Sequence, residues 1–126
     1  MKAVLDTSVV IATDIPLLAG ELAISAATVA ELHLGVLVAT DAKARANRLR
    51  RLSALLQHFD ALPVDDAVAV SYGQLAAAVA EAGRRPRART MDLLVAATAH
   101  AHGARLYTRN ASDLVGVTDL VEVVPV

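Results

Sequence analysis

TMDLLVAATAHAHGARLYT, residues 90–108, reads as a helix that runs straight into a strand. Residues 90–102 form a strongly apolar helix with Asp92 in its opening turn. Gly103 is placed to stop that helix in the left-handed conformation, and residues 104–108 resume as a strand. The same alternation extends outward from this stretch. On its N-terminal side, Gly83-Arg-Arg-Pro-Arg-Ala-Arg is an exposed turn, because Gly and Pro interrupt the helix and the charges need solvent. Before it, Asp65 or Asp66 starts a helix carrying Tyr72, Leu75 and Val79, and residues 61–64 (ALPV) make a short strand. Residues 41–59 are helical, with Ala44, Leu49, Leu52, Leu55, Leu56 and Phe59 on one face opposite the arginines. Ser25 or Thr28 caps a helix reaching about Val38. Residues 22–25 and 2–6 are strands, Thr7-Ser8 turns into a short helix near 8–12, and Asp14, Pro16 and Gly20 mark a loop. On the C-terminal side, residues 120–124 are the last strand. The order β-α-β-α-α-β-α-α-β-α-β predicts an α/β fold: one domain over residues 1–126, with a central parallel sheet of four to five strands flanked by helices on both faces.

Composition supports that reading and narrows the chemistry. A chain of 126 residues is long enough for one continuous core. Its 56% hydrophobic content, dominated by Ala and Val, argues against disorder. Only 2% of residues are aromatic, which counts against a module that stacks RNA bases on aromatic rings. The absence of Cys removes disulfides, thiolate zinc sites and cysteine nucleophiles together. No apolar run approaches the ~18 residues that span a bilayer, and the N-terminus does not read as a signal peptide. The expectation is a cytoplasmic protein with no membrane contact. The net charge of −1 conceals two arginine clusters, Arg45, Arg48, Arg50, Arg51 and Arg84, Arg85, Arg87, Arg89. Basic patches beside an acidic pocket suit a phosphate-rich substrate.

Four acids fall where such a pocket would need them. Asp6 ends the first strand, Glu31 lies early in the helix after the second, Asp92 opens the apolar helix, and Asp113 follows the strand ARLYT. With parallel strands, all four gather at the carboxyl edge of one sheet, where open α/β folds bind their ligands. Carboxylates brought so close repel one another, and a divalent cation relieves that conflict. An all-oxygen donor set favours Mg²⁺ or Mn²⁺ over zinc or copper. His33, His58, His100 and His102 lack metal-ligand spacing and read as structural or surface residues. Asp65 and Asp66 read as helix caps, Tyr72 and Tyr107 as core residues, and the arginines at 45–51 as a solvated helix face.

The segments LDTSVVI (5–11), TVAELHLGV (28–36), MDLLVAATAHAHG (91–103) and TRNASDL (108–114) resemble, in order, the four signature regions of PIN-domain ribonucleases, most of all the VapC toxins of bacterial toxin–antitoxin pairs. The resemblance runs through nearly the whole chain. It implies a PIN-like fold and a metal-dependent endoribonuclease that leaves a 3′-hydroxyl. It places the metal-binding acids on Asp6, Glu31, Asp92 and Asp113. Thr7 and Ser8 match small hydroxyl positions beside the first acid, Thr108 and Asn110 match polar positions leading to the last, and Arg109 joins the 84–89 arginines as a phosphate contact. It also implies a cognate VapB-type antitoxin, an RNA substrate and a homodimer. One departure stands out: the spacing from Asp6 to Glu31 is shorter than in similar family members, with the missing length around residues 12–22.

Two other functions are weaker. A haloacid-dehalogenase-type phosphatase also begins with a strand ending in Asp. It needs a second Asp two residues on, where this chain has Ser8, and a downstream Lys, where it has only Lys43. A PIN-like binding module that works mainly through a partner is favoured only by the shortened arm.

Overall fold

The protein is described by a computed structural model covering residues 1–126. Strand β1 (Lys2–Leu5) leads into the one-turn helix α1 (Thr7–Val10), followed by β2 (Glu21–Ser25), α2 (Ala26–Leu37), α3 (Ala42–His58) and β3 (Ala61–Leu62). Helix α4 (Asp66–Glu81), a 3₁₀ turn at Pro86–Arg89, α5 (Thr90–Ala101), β4 (Arg105–Thr108), a second 3₁₀ turn at Ala111–Leu114 and β5 (Val123–Pro125) complete the chain. The five strands are all parallel, in the order β3-β2-β1-β4-β5. The chain therefore winds one way from β1 to β3 and the other way from β4 to β5. The switch falls between β1 and β4, and there the loops at the strands' carboxyl ends part and leave a crevice.

Alternation along the strands sends side chains to two cores. Val4 and Leu106 face α4 and α5, where Val68, Leu75, Leu93 and Val95 are almost wholly buried. Ala3, Leu5, Ile24 and Tyr107 face the opposite side with Val9, and Val29, Leu55 and Phe59 pack around them. From Val95 to Ala99 no residue of α5 has measurable exposure. Its run of small side chains lets the helix lie close against both the sheet and α4. Gly103 ends it at φ +61°, as the sequence suggests, with the Ala104 N–H returning to the Ala99 carbonyl at 2.9 Å.

Most helix starts are set by short polar side chains. The Ser25 hydroxyl accepts from the Ala27 N–H, and Asp41 and Asp65 accept from Ala44 and Val68. Ser25 rather than Thr28 thus caps α2, and Asp65 rather than Asp66 caps α4. Thr28 is buried one turn further on.

Three expectations need correction. The last strand is Val123–Pro125, not 120–124: Val121 turns back to the Val117 carbonyl, so its burial reflects a turn packed on the core. The strand expected at 61–64 is only Ala61–Leu62. Helix α3 does not bury the whole apolar face assigned to it. Leu52 is buried, but Leu49 and Leu56 are 51% and 41% exposed. That helix lies at the edge of the molecule. Arg48 and Arg51 are not opposite its apolar residues: they line a groove with Leu52 and Leu55 and reach the carbonyls of Gly35 and Ile11.

The arm between α1 and β2 contains no helix. It is an irregular stretch tied down at three places. Arg51 donates to the Ile11 carbonyl, Arg109 grips Asp14, and the Tyr107 hydroxyl donates to the Ala19 carbonyl at 2.8 Å.

Candidate functional site

Asp6 follows the last residue of β1, beside the switch point, and is only 6% exposed. Its backbone is extended at the N-cap position of α1, yet its side chain caps nothing. Instead the carboxylate takes two hydroxyl donors. Ser8 and Thr108 each donate to Asp6 Oδ2 at 2.8 Å. Both hydroxyl protons are thereby committed, so the 3.4 Å approach of Ser8 to Thr108 is a contact between two donors to the same acceptor. Each hydroxyl oxygen also accepts a backbone N–H from the loop after β4. Arg109 N–H donates to Ser8 and Asn110 N–H donates to Thr108. Four polar groups from two chain segments thus fix one carboxylate, and Oδ1 is left without a protein donor.

Glu31 comes from the second turn of α2. Thr7 donates to its Oε1 at 2.8 Å, which uses the one Thr7 proton. Thr28, 3.0 Å from Thr7, must then supply the donor in that pair. A Thr28–Thr7–Glu31 relay, anchored on the buried Thr28, therefore orients the second acid. In the sequence Thr28 reads only as an alternative helix cap; its hydroxyl one turn before Glu31 is the signal that points to this role.

Asp92 sits in the first turn of α5, half-buried. Burial raises its pKa above 3.8, followed by repulsion from Asp6, Glu31 and Asp113, while Arg89 pulls the other way. Asp92 therefore lies within the field of the other three acids. Asp113, in the 3₁₀ turn after β4, meets the Arg89 guanidinium at 3.2 Å, and the other terminal nitrogen of that guanidinium lies 4.0 Å from Asp92. No three of the carboxylates close on a single point as a preformed metal cage. The donor set fits a hard divalent cation chemically: four carboxylates, no thiolate, and a field that disfavours leaving all of them ionised alone.

The remaining expected residues divide. Thr7, Ser8 and Thr108 each touch an acid. Asn110 enters through its backbone, donating to Thr108 and accepting from the Asp113 N–H. Arg109 instead forms a two-point pair with Asp14 at 2.6 and 3.1 Å and anchors the arm. His100 shares a 2.8 Å hydrogen bond with the Ser71 hydroxyl between α4 and α5, a structural place.

Beside Glu31, a groove of about 490 Å³ runs between α1, α2 and α3, with Val10, Ile11, Leu32, Leu52 and Leu55 on its walls. No helix of the protein is long and apolar enough to cross a membrane.

Fold and site together define an open parallel α/β protein with a nearly buried Asp6 at its topological switch point and Asp92 in the field of Asp6, Glu31 and Asp113. The sequence profile of the PIN domain matches residues 3–112. The chain belongs to the PIN-domain family. It is 39% identical over 113 residues to ribonuclease VapC5 of Mycobacterium tuberculosis, covering 85% of this chain and 82% of that protein. Ribonuclease VapC4 of the same organism is 36% identical over an alignment of 131 positions, covering 99% and 97%. Among solved structures, VapBC-5 of M. tuberculosis, a member of the VapBC family of toxin–antitoxin systems, superposes with a TM-score of 0.85 at 38% identity, covering 99% of this chain and 98% of that one.

Proposed function

We infer that the protein is a cytoplasmic endoribonuclease, the toxin of a VapBC pair, which hydrolyses RNA phosphodiester bonds with Mg²⁺ or Mn²⁺ at Asp6, Glu31, Asp92 and Asp113. One observation carries this reading. At the switch point of a parallel sheet, a nearly buried Asp6, fixed by two hydroxyls at the end of β1, acts with Glu31 and Asp113 on the carboxyl of Asp92. The relatives named ribonuclease VapC support the activity, and the VapBC-5 structure supports the pairing.

Asp6 and Asp92, with Glu31 and Asp113, would hold the cation. A cation held there would supply Lewis acidity for activating a water and for charge on the leaving oxygen. The chain's own part is orientation. Ser8 and Thr108 hold the Asp6 carboxylate in one rotamer, and the Thr28–Thr7 relay does the same for Glu31. Arg84, Arg85 and Arg87, which have no carboxylate partner, would take RNA phosphates. The apolar groove leading to Glu31 suits a segment of a VapB-type antitoxin, and an antitoxin arginine at the acids would compete with the cation. A homodimer would use the remaining helical surfaces.

Induced expression in a bacterial host tests the reading. Growth should stop with the wild-type chain and continue with Asp6→Asn, and co-expression of the cognate antitoxin should restore growth. Arrest that persists with Asp6→Asn would place the toxicity outside this site.

A further inference from the structure

Arg89 ends the 3₁₀ turn Pro86–Arg89 and stands immediately before α5. Its two terminal nitrogens go to different acids, Nη2 to Asp113 at 3.2 Å and Nη1 to Asp92 at 4.0 Å. Those acids come from separate parts of the chain, so one guanidinium bridges two groups that only the fold brings together. Asp113 also forms part of the wall of an open cleft of about 270 Å³, lined besides by Arg84, Arg85 and Arg89 with Gly83 and Ala88. Arg84 and Arg85 lack carboxylate partners there. The Arg89 side chain is 40% exposed and already borders this cleft, so it can leave the acids without crossing the core.

We propose that Arg89 is a built-in counter-cation of the acidic centre, displaced when a divalent ion binds and then turned to the cleft, where it joins Arg84 and Arg85 as a clamp for an RNA phosphate. The proposal rests on the reading of the four acids as a divalent-cation centre. Physically, half-exposed ion pairs are weak, and a doubly charged ion gains more from Asp92 and Asp113 than one delocalised charge does. A guanidinium released beside a divalent ion is repelled from it and attracted to the nearest phosphate, for which its planar fork is well matched. Binding of metal would thus switch on a substrate contact. In the metal-free protein, Arg89 meanwhile keeps the crowded acids partly neutralised. Arg89 is a positioning residue in the first state and a substrate contact in the second.

The test is calorimetric titration of Mn²⁺ into metal-free wild type, Arg89→Gln and Arg85→Gln. Arg89→Gln should bind Mn²⁺ about three- to tenfold more tightly than wild type, the scale of two half-exposed ion pairs. Arg85→Gln, which removes an equal charge nearby without touching an acid, should stay within twofold. Equal affinity in Arg89→Gln and wild type, or equal tightening in both variants, overturns the proposal while leaving the metal centre standing. Absence of Mn²⁺ binding in all three proteins removes the centre itself and the proposal with it. The second arm measures binding of a labelled single-stranded oligodeoxyribonucleotide, which presents the same phosphate chain, against salt. Adding Mn²⁺ should steepen the log–log slope of wild type by about 0.7, one phosphate contact, and leave that of Arg89→Gln unchanged. A wild-type slope indifferent to Mn²⁺ overturns the hand-over to phosphate.

Discussion

Replacing Thr108 by Val separates the hydroxyl from the space it fills. Thr108 has no measurable exposure, donates to Asp6 Oδ2 at 2.8 Å, and accepts from the Asn110 N–H at 3.0 Å. Val is close in volume, so the packing stays and only the polar contacts go. A hydrogen bond to a charged acceptor contributes about 1.5–3 kcal/mol. Asn110 is exposed, so its freed N–H recovers water and adds little. Thr108→Val should therefore lower the unfolding free energy by about 2 kcal/mol in urea denaturation followed by circular dichroism, with chelator present. Ser8 remains on Oδ2 but cannot hold the carboxylate by itself, so Mn²⁺ affinity should fall about 10- to 100-fold, the usual effect of losing an outer contact to a ligand. Thr108→Ser reverses the pattern. It keeps both hydrogen bonds and loses a buried methyl, which costs about 1 kcal/mol, while Mn²⁺ affinity stays within twofold. Wild-type Mn²⁺ affinity in Thr108→Val would refute the role given to the hydroxyl. An equal loss of affinity in both variants would mean that packing, not hydrogen bonding, holds Asp6.

Other outcomes follow from the same geometry. Because burial, and then Asp6, Glu31 and Asp113, raise the Asp92 pKa, the folded chain holds that proton more tightly than the unfolded one. Ionising Asp92 therefore weakens the fold as pH rises through the raised value, and the penalty is absent below 3.8. In chelator, Asp92→Asn should be more stable than wild type at pH 7 by roughly 0.5 kcal/mol once solvent screening is counted, and equal to it in acid; a less stable Asn variant at pH 7 contradicts this. Gly116 has φ +101°, and an added Cβ would lie 3.2 Å from Ala82 Cβ and 3.3 Å from the Ala78 carbonyl. Gly116→Ala should lose about 1–3 kcal/mol, seen as a lower melting temperature in calorimetry, whereas an unchanged one would deny the strain. Arg109→Ala releases Asp14 from an exposed pair, so global stability should change by less than about 1 kcal/mol. Proteolytic cleavage between residues 12 and 20 should nevertheless accelerate, and an unchanged rate would show that Arg51 and Tyr107 suffice to hold the arm.

Local signals in the sequence carried most of the architecture. The strand and helix sequence, the Gly103 stop and the cap at Asp65 all depend on neighbours a few residues away, which a linear reading sees. The failures come from tertiary position. Residues 120–124 have the composition of a strand, but Val121 is buried by a turn packed on the core. Helix α3 has a sound apolar period, yet it lies at the rim, so Leu49 and Leu56 meet solvent. At the site, the four acids stood out as candidates because Asp6 and Asp113 follow recognisable strands, Asp92 opens a recognisable helix and Glu31 lies early in another. The direction of the hydroxyls on Asp6, the Thr28–Thr7 relay and the turn of Arg109 towards Asp14 could not be named. Apart from Ser8 on Asp6, they join residues 21 to 102 positions apart, and all depend on side-chain rotamers.

The most direct test is cleavage of total cellular RNA by the purified, antitoxin-free protein, with Mg²⁺ or Mn²⁺ and with chelator, alongside Asp6→Asn. The account predicts discrete fragments ending in 3′-hydroxyls that require the metal and vanish in the variant. Failure of the well-folded chain to cut RNA under any of these conditions, or fragments that persist with Asp6→Asn, would contradict it.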